Sequence, residues 1–208
     1  MKYVGFLLLA LSLNFCVSAQ VKGEDALKKL QQKFYSINDL SADFKQSASA
    51  GQNKGGFAGK YYYKKKDKFR IELKSVTIAC DGKTTWNYSV KTKKYIVNDF
   101  APEDPTNISL DRFVYDYPSK CKVTVKGKEN VNGAGCSVIE LVPHKTSMSF
   151  KLASLWVDDA DLIRKIYFED QNGTKVTVDL SNIKINQKVP DSKFKLTPPE
   201  GSKVIDLR

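Results

Sequence analysis

The sequence predicts a mainly β fold with a few helices (α+β), arranged as a single curved antiparallel sheet or partial barrel. Apolar and polar residues alternate over many short segments. Turns that contain glycine separate these segments at short intervals. Only two segments carry apolar residues at helical spacing, so we expect about ten strands, mostly paired in chain order, and two helices.

Residues 1–19 predict a secretory signal peptide. A positive start is followed by an apolar run and then by small residues that suit cleavage before Gln20. The apolar run is too short for a membrane span, and no later segment reaches about 18 apolar residues. Phe15 precedes Cys16 and is too large for a lipoprotein signal. We therefore expect residues 20–208 to form one exported, soluble domain with a hydrophobic core of its own.

The first segment after the signal peptide, residues 24–37, predicts an amphipathic helix. Its apolar residues recur every three or four positions, whereas lysines and glutamines fill the remaining positions. The apolar stripe comprises Leu27, Leu30, Phe34 and Ile37. A second, short helix is predicted over residues 107–115, with Pro118 ending it.

Asp81-Gly82 is the strongest hairpin signal, because it separates two alternating runs. A two-residue turn there would place Val76 and Ile78 on the face opposite to the aromatic residues of the next strand. A three-residue loop, Cys80-Asp81-Gly82, would place them on the same face as Trp86 and Tyr88. Because a one-residue slip reverses the faces, the apolar pattern favours the three-residue loop and one very apolar sheet face.

Two further three-residue loops that end in glycine are predicted at residues 131–133 and 171–173. Later in the chain the apolar residues of one strand change from even-numbered to odd-numbered positions, which predicts a β-bulge near Ser181-Asn182. Both loops bring apolar residues into cross-strand pairs: Val125 with Ile139, Val123 with Leu141, Ile166 with Val178, and Phe168 with Val176.

Three cysteines follow the signal peptide, so at least one of them is expected to be a free thiol. In the predicted register Cys121 and Cys136 lie on opposite faces with roughly 20 Å of strand between them. We therefore expect no disulfide between these two cysteines. The lone histidine, His144, follows a proline at a strand end and is expected at the surface, and no spacing typical of metal ligands is present.

The formal net charge of the chain is +11 at pH 7. Most lysines occupy the polar positions of alternating strands, which indicates a solvated outer face, and export makes nucleic acid a poor candidate partner. The run Lys64-Lys65-Lys66 is the one basic cluster that we retain as a candidate site.

No catalytic triad order, paired acids or phosphate-binding loop is present, so we expect neither an enzyme nor a cofactor or metal. From the residues alone, the apolar sheet face predicts a packed core, with a lipid-sized cavity as the alternative.

Several motifs occur together along the chain. After the signal peptide and the helix with Phe34 and Ile37 come Phe44-Lys45-Gln46, then Asp81-Gly82-Lys83-Thr84 with Trp86 and Tyr88, and finally Phe194-Lys195-Leu196-Thr197-Pro198-Pro199-Glu200-Gly201. In this combination the sequence resembles the periplasmic outer-membrane lipoprotein carrier family, LolA. The resemblance extends over essentially all of residues 20–208.

This resemblance implies an incomplete antiparallel β-barrel whose concave apolar face is covered by helices. It further implies a monomeric periplasmic carrier that moves lipoproteins from the inner to the outer membrane. An inner-membrane ABC transporter would load it, and an outer-membrane acceptor, where one exists, would unload it. Other lipids or glycolipids as cargo, or a lipid-sensing module that regulates a membrane partner, are the alternatives. The expected cavity lining is Phe34, Ile37, Leu40, Phe44, Tyr61, Phe69, Ile71, Trp86 and Tyr88.

One position departs from the family pattern. The arginine that locks the lid in the family precedes the strand of Phe69, usually within Lys-Arg-Pro, and the matching position here is Lys65, with no proline after it. Lysine is a point charge rather than a planar fork. We therefore expect Lys65 to tie the lid through backbone carbonyls, but more weakly than arginine would.

Overall fold

The computed structural model describes the backbone of residues 13–101 and 110–208 and, within these ranges, the side chains from residue 23 onward. Helix α1 (Leu13–Ser36) begins the described part of the chain. Short helical turns occur at Arg112–Asp116, Pro118–Lys120 and Asp191–Phe194.

Twelve strands were found within the described ranges, and all of them belong to one sheet. They are β1 (Asp39–Ala50), β2 (Asn53–Lys64), β3 (Lys68–Leu73), β4 (Val76–Asp81), β5 (Thr84–Ser89), β6 (Lys94–Asp99), β7 (Cys121–Val131), β8 (Ala134–Pro143), β9 (Phe150–Asp158), β10 (Ile163–Asp170), β11 (Lys175–Ile185) and β12 (Lys203–Asp206).

The strand order in the sheet is β12-β6-β5-β4-β3-β2-β1-β11-β10-β9-β8-β7. Neighbouring strands are antiparallel except β12 and β6, which are parallel. The sheet is curved and open, because its two edge strands, β12 and β7, do not pair with each other. The predicted incomplete barrel is therefore confirmed. Sequence reading missed β12, a four-residue strand that is mostly exposed and offers little alternation.

The concave face of the sheet carries the main hydrophobic core. Helix α1 packs there through Leu27, Leu30 and Phe34, as its apolar stripe predicts. At Gly23 the helix lies so close to β7 that an added Cβ would lie 2.8 Å from the Val123 carbonyl oxygen. Leu110 joins the same core from the segment before the π-helical turn. We refer to residues 24–36 and 110–120 together as the lid.

We refer to residues 187–208 as the C-terminal strap. Its residues 189–196 contact the convex face of β2–β6, and it ends in the edge strand β12. Phe194 is fully buried there. Arg70 donates hydrogen bonds to the carbonyls of Lys193 and Lys195, and the Tyr95 hydroxyl donates to the Leu196 carbonyl. Both faces of this half of the sheet therefore have buried positions.

The predicted register of the first hairpin is wrong. Val76 pairs with Ser89 and Cys80 with Thr85, so even-numbered residues oppose odd-numbered ones, and the turn is formed by Gly82-Lys83. The Asp81 carboxylate accepts hydrogen bonds from the amides of Lys83 and Thr84. The apolar pattern misled because the strap buries the convex face too, so apolar residues on both faces find partners.

The loop predicted at residues 131–133 is also a two-residue turn, since Val131 pairs with Ala134. A bulge between Val125 and Gly127 restores the parity, and the predicted pairs of Val125 with Ile139 and Val123 with Leu141 are present. The loop at residues 171–173 pairs Ile166 with Val178 and Phe168 with Val176 as predicted, and the register shift next to Ser181 confirms the bulge.

The described cysteines, Cys80, Cys121 and Cys136, are free and buried. Cys121 belongs to the main core, whereas Cys136 packs with Val138 and Trp156 in a separate cluster, so the prediction of no Cys121–Cys136 disulfide is confirmed. Burial raises the pKa of the Cys80 and Cys121 thiols to about 11. These thiols therefore stay protonated and unreactive at neutral pH.

Two predictions fall partly outside the described residues. Residues 1–12 of the predicted signal peptide and residues 107–109 of the second predicted helix are not described by the structure. In the described part of that span the π-helical turn ends at Asp116, before Pro118, and a separate 3-10 turn starts at Pro118. Cleavage before Gln20 stays a prediction.

The buried ring of Phe194 provides a test of the strap. Phe194→Ala should lower the free energy of unfolding by about 3–5 kcal/mol, because it removes a large core side chain and leaves a cavity. Urea unfolding monitored by circular dichroism measures the change. Val204→Ala, at a 53% exposed position of the same strap, is the matched control. Equal stabilities of the two variants would show that the strap does not hold the convex face.

Candidate functional site

A cavity of about 920 Å³ lies between the concave face of the sheet and the lid. Its size falls in the upper part of the range typical of small-ligand sites, roughly 300–1,000 Å³. Most of its wall comes from β1–β5, the strand ends at residues 98–101, and residues 110–116. The apolar lining residues are Phe44, Phe57, Tyr61, Tyr63, Phe69, Ile71, Leu73, Ile78, Trp86, Phe100, Ala101, Leu110, Phe113, Ile166, Val178 and Leu180.

Cross-strand pairing places the cavity wall in rows across the sheet. Tyr61 pairs with Ile71, and Ile71 pairs with Ile78, so these three side chains share the concave face. The next row runs from Tyr63 to Phe69. The alternate apolar residues of β2 and β3 therefore lie side by side and form a continuous apolar surface. The lid does not contact this surface where the cavity lies.

One end of the cavity is polar. The Tyr63 hydroxyl donates a hydrogen bond of 3.0 Å to the Asp111 carboxylate, which comes from the lid. Burial raises the pKa of Asp111 to about 6, and the nearby charges of Asp67 and Asp116 add to this effect. Burial and the Asp111 charge raise the pKa of Tyr61 and Tyr63 as well, so both phenols stay protonated.

The structure brings five of the nine predicted lining residues to this cavity: Phe44, Tyr61, Phe69, Ile71 and Trp86. Trp86 borders the cavity, although its cross-strand partners Ala79 and Val97 are buried on the convex face. Tyr88 pairs with Tyr95 on the convex side, because the hairpin has the other register. Contact of the five residues with a ligand stays a prediction.

The other three predicted residues, Phe34, Ile37 and Leu40, lie in the packed core. They border only a small void of about 20 Å³. The ring of Phe34 is 5.2 Å from that of Tyr63, centroid to centroid, and 5% of the residue is exposed. The helix stripe thus fills its half of the concave face, as a packed core would, and the cavity occupies the other half.

Sequence reasoning missed several lining residues. Phe57 and Tyr63 share the predicted face of Tyr61, and this parity could have identified them. Ile78 was assigned to the correct strand, but the register error separated it from Thr85 and Asn87, which also line the cavity. Asp111 gave no signal, because its position depends on how the lid docks.

Lys65 lies where the lid meets the sheet. Its ammonium donates a hydrogen bond of 2.7 Å to the backbone carbonyl of Tyr35 at the C-terminal end of α1. The same ammonium is 4.9 Å from the centroid of the Tyr35 ring. The Lys65 amide also donates to the Asn38 carbonyl. Lys65 therefore contacts a backbone carbonyl of the lid, and a role of this contact in lipid handover stays a prediction.

Further contacts hold the two parts of the lid together. The Gln31 side-chain amide donates to the Val114 carbonyl at 2.9 Å, and the Tyr115 hydroxyl donates to the Gln31 carbonyl at 3.2 Å. These bonds join α1 to the π-helical turn, so movement of one part is coupled to movement of the other.

Within the part of the chain that the structure describes, no helix is long and apolar enough to cross a membrane. The same residues contain no group of three or more histidine, cysteine or acidic side chains that could hold a metal ion.

The fold and site define a protein with an open curved β-sheet, a helical lid and a large cavity between them. Residues 35–197 match the model of the family described as outer membrane lipoprotein carrier protein LolA. The chain belongs to this family.

Individual relatives are distant. An outer-membrane lipoprotein carrier protein of Pasteurella multocida is 27% identical over 190 residues, which are 88% of each chain. An uncharacterized protein of Methanocaldococcus jannaschii is 29% identical over 89% of this chain, which spans only 54% of that relative's length. The crystal structure of an uncharacterized conserved protein from Thermus thermophilus shares the fold, with a TM-score of 0.59, 12% identity, and coverage of 89% of this chain and 99% of that one.

Asp111 makes the stability of the protein depend on pH in a predictable direction. Its pKa is raised in the folded state from 3.8 to about 6. The stabilisation that it contributes is therefore fully present below about pH 4 and is lost as the pH rises through about 6. Asp111→Asn removes this dependence, and its hydrogen bond from Tyr63 can persist. As the pH rises from about 4.5 to about 7.5, we expect the free energy of unfolding of the variant to increase by about 1–2 kcal/mol relative to that of the wild type.

Urea unfolding at the two pH values measures this difference. Asp159→Asn is the control, because Asp159 lies in the turn after β9 with 89% of its side chain exposed. A gain of the same size in the Asp159 variant, or no gain at Asp111, would contradict the prediction.

Proposed function

We propose that this chain is a periplasmic carrier that binds the acyl chains of lipoproteins in its cavity and moves them from the inner to the outer membrane. One observation carries the proposal: a cavity of about 920 Å³, lined mainly by apolar side chains, between the open sheet and the lid. Membership of the lipoprotein carrier family supports a lipid- or lipoprotein-binding role for this cavity.

The energetics of such a carrier are nearly balanced. Burial gives an acyl chain roughly 0.8 kcal/mol per methylene, so a chain of about 16 carbons gains on the order of 10 kcal/mol over water. The membrane that the chain leaves offers similar burial, and the net free energy of transfer is small. Modest interactions in the lid can therefore decide whether lipid is accepted or released.

The Lys65 latch, which is the contact of Lys65 with Tyr35, provides such an interaction. It holds the C-terminal end of α1 against the sheet. Entry of an acyl chain would push the lid outward and break this contact, so the latch favours the empty state. The contribution is about 1 kcal/mol, because the contact is partly exposed to solvent.

In this scheme the protein acts by binding alone, as a monomer without cofactor or catalysis. An inner-membrane ABC transporter supplies the energy for loading. Release follows contact with an outer-membrane acceptor, where one exists. The predicted signal peptide, residues 1–19, supports export to the compartment between the two membranes.

Another lipid or a glycolipid is the second candidate cargo. The polar end of the cavity favours it, because hydroxyl, amide and carboxylate groups there could bind a polar head. Mass spectrometry of lipids extracted from the protein purified after export separates these candidates. Acylated peptides would support the lipoprotein carrier, and other lipids would support the second candidate. A role in lipid sensing would require that bound lipid change the affinity for a membrane partner.

A charge placed in the apolar wall tests the cavity directly. Ile71→Glu should abolish binding of a synthetic triacylated lipopeptide, because an ionised carboxylate would have to be buried beside the acyl chains. Val90→Glu is the matched control, since Val90 is 55% exposed and does not line the cavity. Equilibrium binding and circular dichroism of both variants decide the outcome. Unchanged binding by a folded Ile71 variant would remove the cavity from the proposal.

The latch can be tested by substitution at Lys65. Lys65→Met should still load lipopeptide from inner-membrane vesicles, and it should release it to outer-membrane vesicles about fivefold more slowly, because about 1 kcal/mol favouring the empty state is lost. Lys65→Arg should keep the wild-type rate or exceed it. Lys66→Met, at the exposed neighbouring lysine, is the control for charge. Equal release by both methionine variants would rule out the latch.

A further inference from the structure

The charged residues of the cavity wall lie together at one end. Asp67 lies in the turn between β2 and β3, Lys68 starts β3, and Asp99 ends β6. Asp111, Arg112 and Asp116 belong to the lid. The other end is uncharged, and Phe57, Leu73 and Val178 lie there with the neutral Gln46. The cavity is therefore polarised along its length, as a site for an amphiphile with a head and a tail would be.

The two cations at the polar end have other partners. The Lys68 ammonium is 2.8 Å from a carboxylate oxygen of Asp191 in the C-terminal strap. The Arg112 guanidinium lies over the Tyr117 ring at 5.4 Å from its centroid, and its Nε atom is 4.0 Å from Asp116. Neither cation forms an ion pair with Asp67 or Asp111 in the described part of the chain.

Asp111 itself is placed to meet a ligand. Its carboxylate accepts a hydrogen bond from the Tyr63 hydroxyl and interacts with its own backbone amide. Tyr61, whose phenol interacts electrostatically with Asp111, lines the same cavity, so a ligand at this end would lie beside both residues. Thr85 of β5 and its cross-strand partner Asn98 of β6 provide neutral polar groups in the cavity lining.

We propose that this acidic end of the cavity selects lipids by their head group, accepting uncharged or cationic heads that donate hydrogen bonds and rejecting anionic phosphate heads. The inference rests on the proposed lipid-binding function and names the class of head group that the same cavity takes. A hydroxyl, amide or ammonium group donates to Asp111, and a hydroxyl or amide also accepts from Tyr61 or Asn98. A phosphate brings only negative charge and acceptors to a site that already carries several carboxylates, so its desolvation is not compensated.

This selectivity runs against the charge of the whole molecule. The chain has a net charge of +11, which draws anionic lipids towards its surface. The lining of the cavity has the opposite balance, with four carboxylates against two cations. Asp111 is the half-buried carboxylate among them, whereas Asp67, Asp99 and Asp116 are exposed to solvent. An anionic phospholipid attracted to the surface would thus be excluded from the binding site, whereas an acyl chain attached to a peptide or glycerol would be admitted.

Three probes with the same alkyl chain test the proposal: monolauroylglycerol, dodecylamine and dodecyl phosphate. Calorimetric titration of the exported protein at neutral pH, below the micelle concentration of each probe, measures their affinities. We expect the uncharged and cationic probes to bind at least about tenfold more tightly than the phosphate, the size of effect that one charge gives at a partly solvated site. In Asp111→Asn this preference should shrink severalfold through tighter binding of dodecyl phosphate, with little change for monolauroylglycerol.

Asp159→Asn is the control for loss of a negative charge away from the cavity, and it should keep the wild-type preference. Equal affinity of the wild type for all three probes, or an unchanged preference in Asp111→Asn, would overturn the head-group selectivity and leave the lipid-binding function intact. Failure of every probe to bind would instead count against the lipid-binding function itself. The two failures are therefore distinguishable.

Discussion

The whole architecture depends on strand β1, which pairs with β2 on one side and with β11 on the other. The strands β2–β6 and β7–β11 are each neighbours in chain order, and β1 joins the two groups into one sheet. The buried carboxylate of Asp39, at the start of β1, accepts hydrogen bonds from the amides of Gln187 and Lys188. This contact fixes the chain where β11 leads into the C-terminal strap, so the concave core, the cavity and the convex cover all share one support.

The apolar concave face is covered differently in the two halves of the sheet. On β7–β11 the face is covered by α1 and residues 110–120, and its side chains form a packed core. On β2–β5 the same kind of face borders the cavity, while the strap covers the reverse side. A protein can keep such a cavity because the packed half supplies stability and the convex cover stabilises the strands beneath the empty space.

Much of the fold was predictable from the sequence, because alternation over β1–β3 and β7–β11 is strong and glycine marks the turns. The register of the first hairpin was not. Val76, Ile78, Trp86 and Tyr88 are all apolar, and parity alone could not show that the strap would bury one pair on the convex side. The helix stripe at Phe34 was read correctly as buried, but whether it faced core or cavity depended on how far the lid extends over the sheet. Asp111 could not be recognised, because its neighbours come from distant parts of the chain.

The two ends of the sheet bear on how the protein avoids self-assembly. An open sheet offers unpaired backbone groups along each outer strand, and these groups can template strand addition from another copy. Here the short parallel strand β12 occupies one margin next to β6. The other margin, β7, carries exposed Lys122, Lys126 and Lys128 and is kinked by a bulge before Gly127. Repulsion between like charges and the interrupted hydrogen-bond ladder oppose edge-to-edge association with another copy. The two edge strands of the open sheet can therefore remain unpaired with each other without recruiting a second molecule.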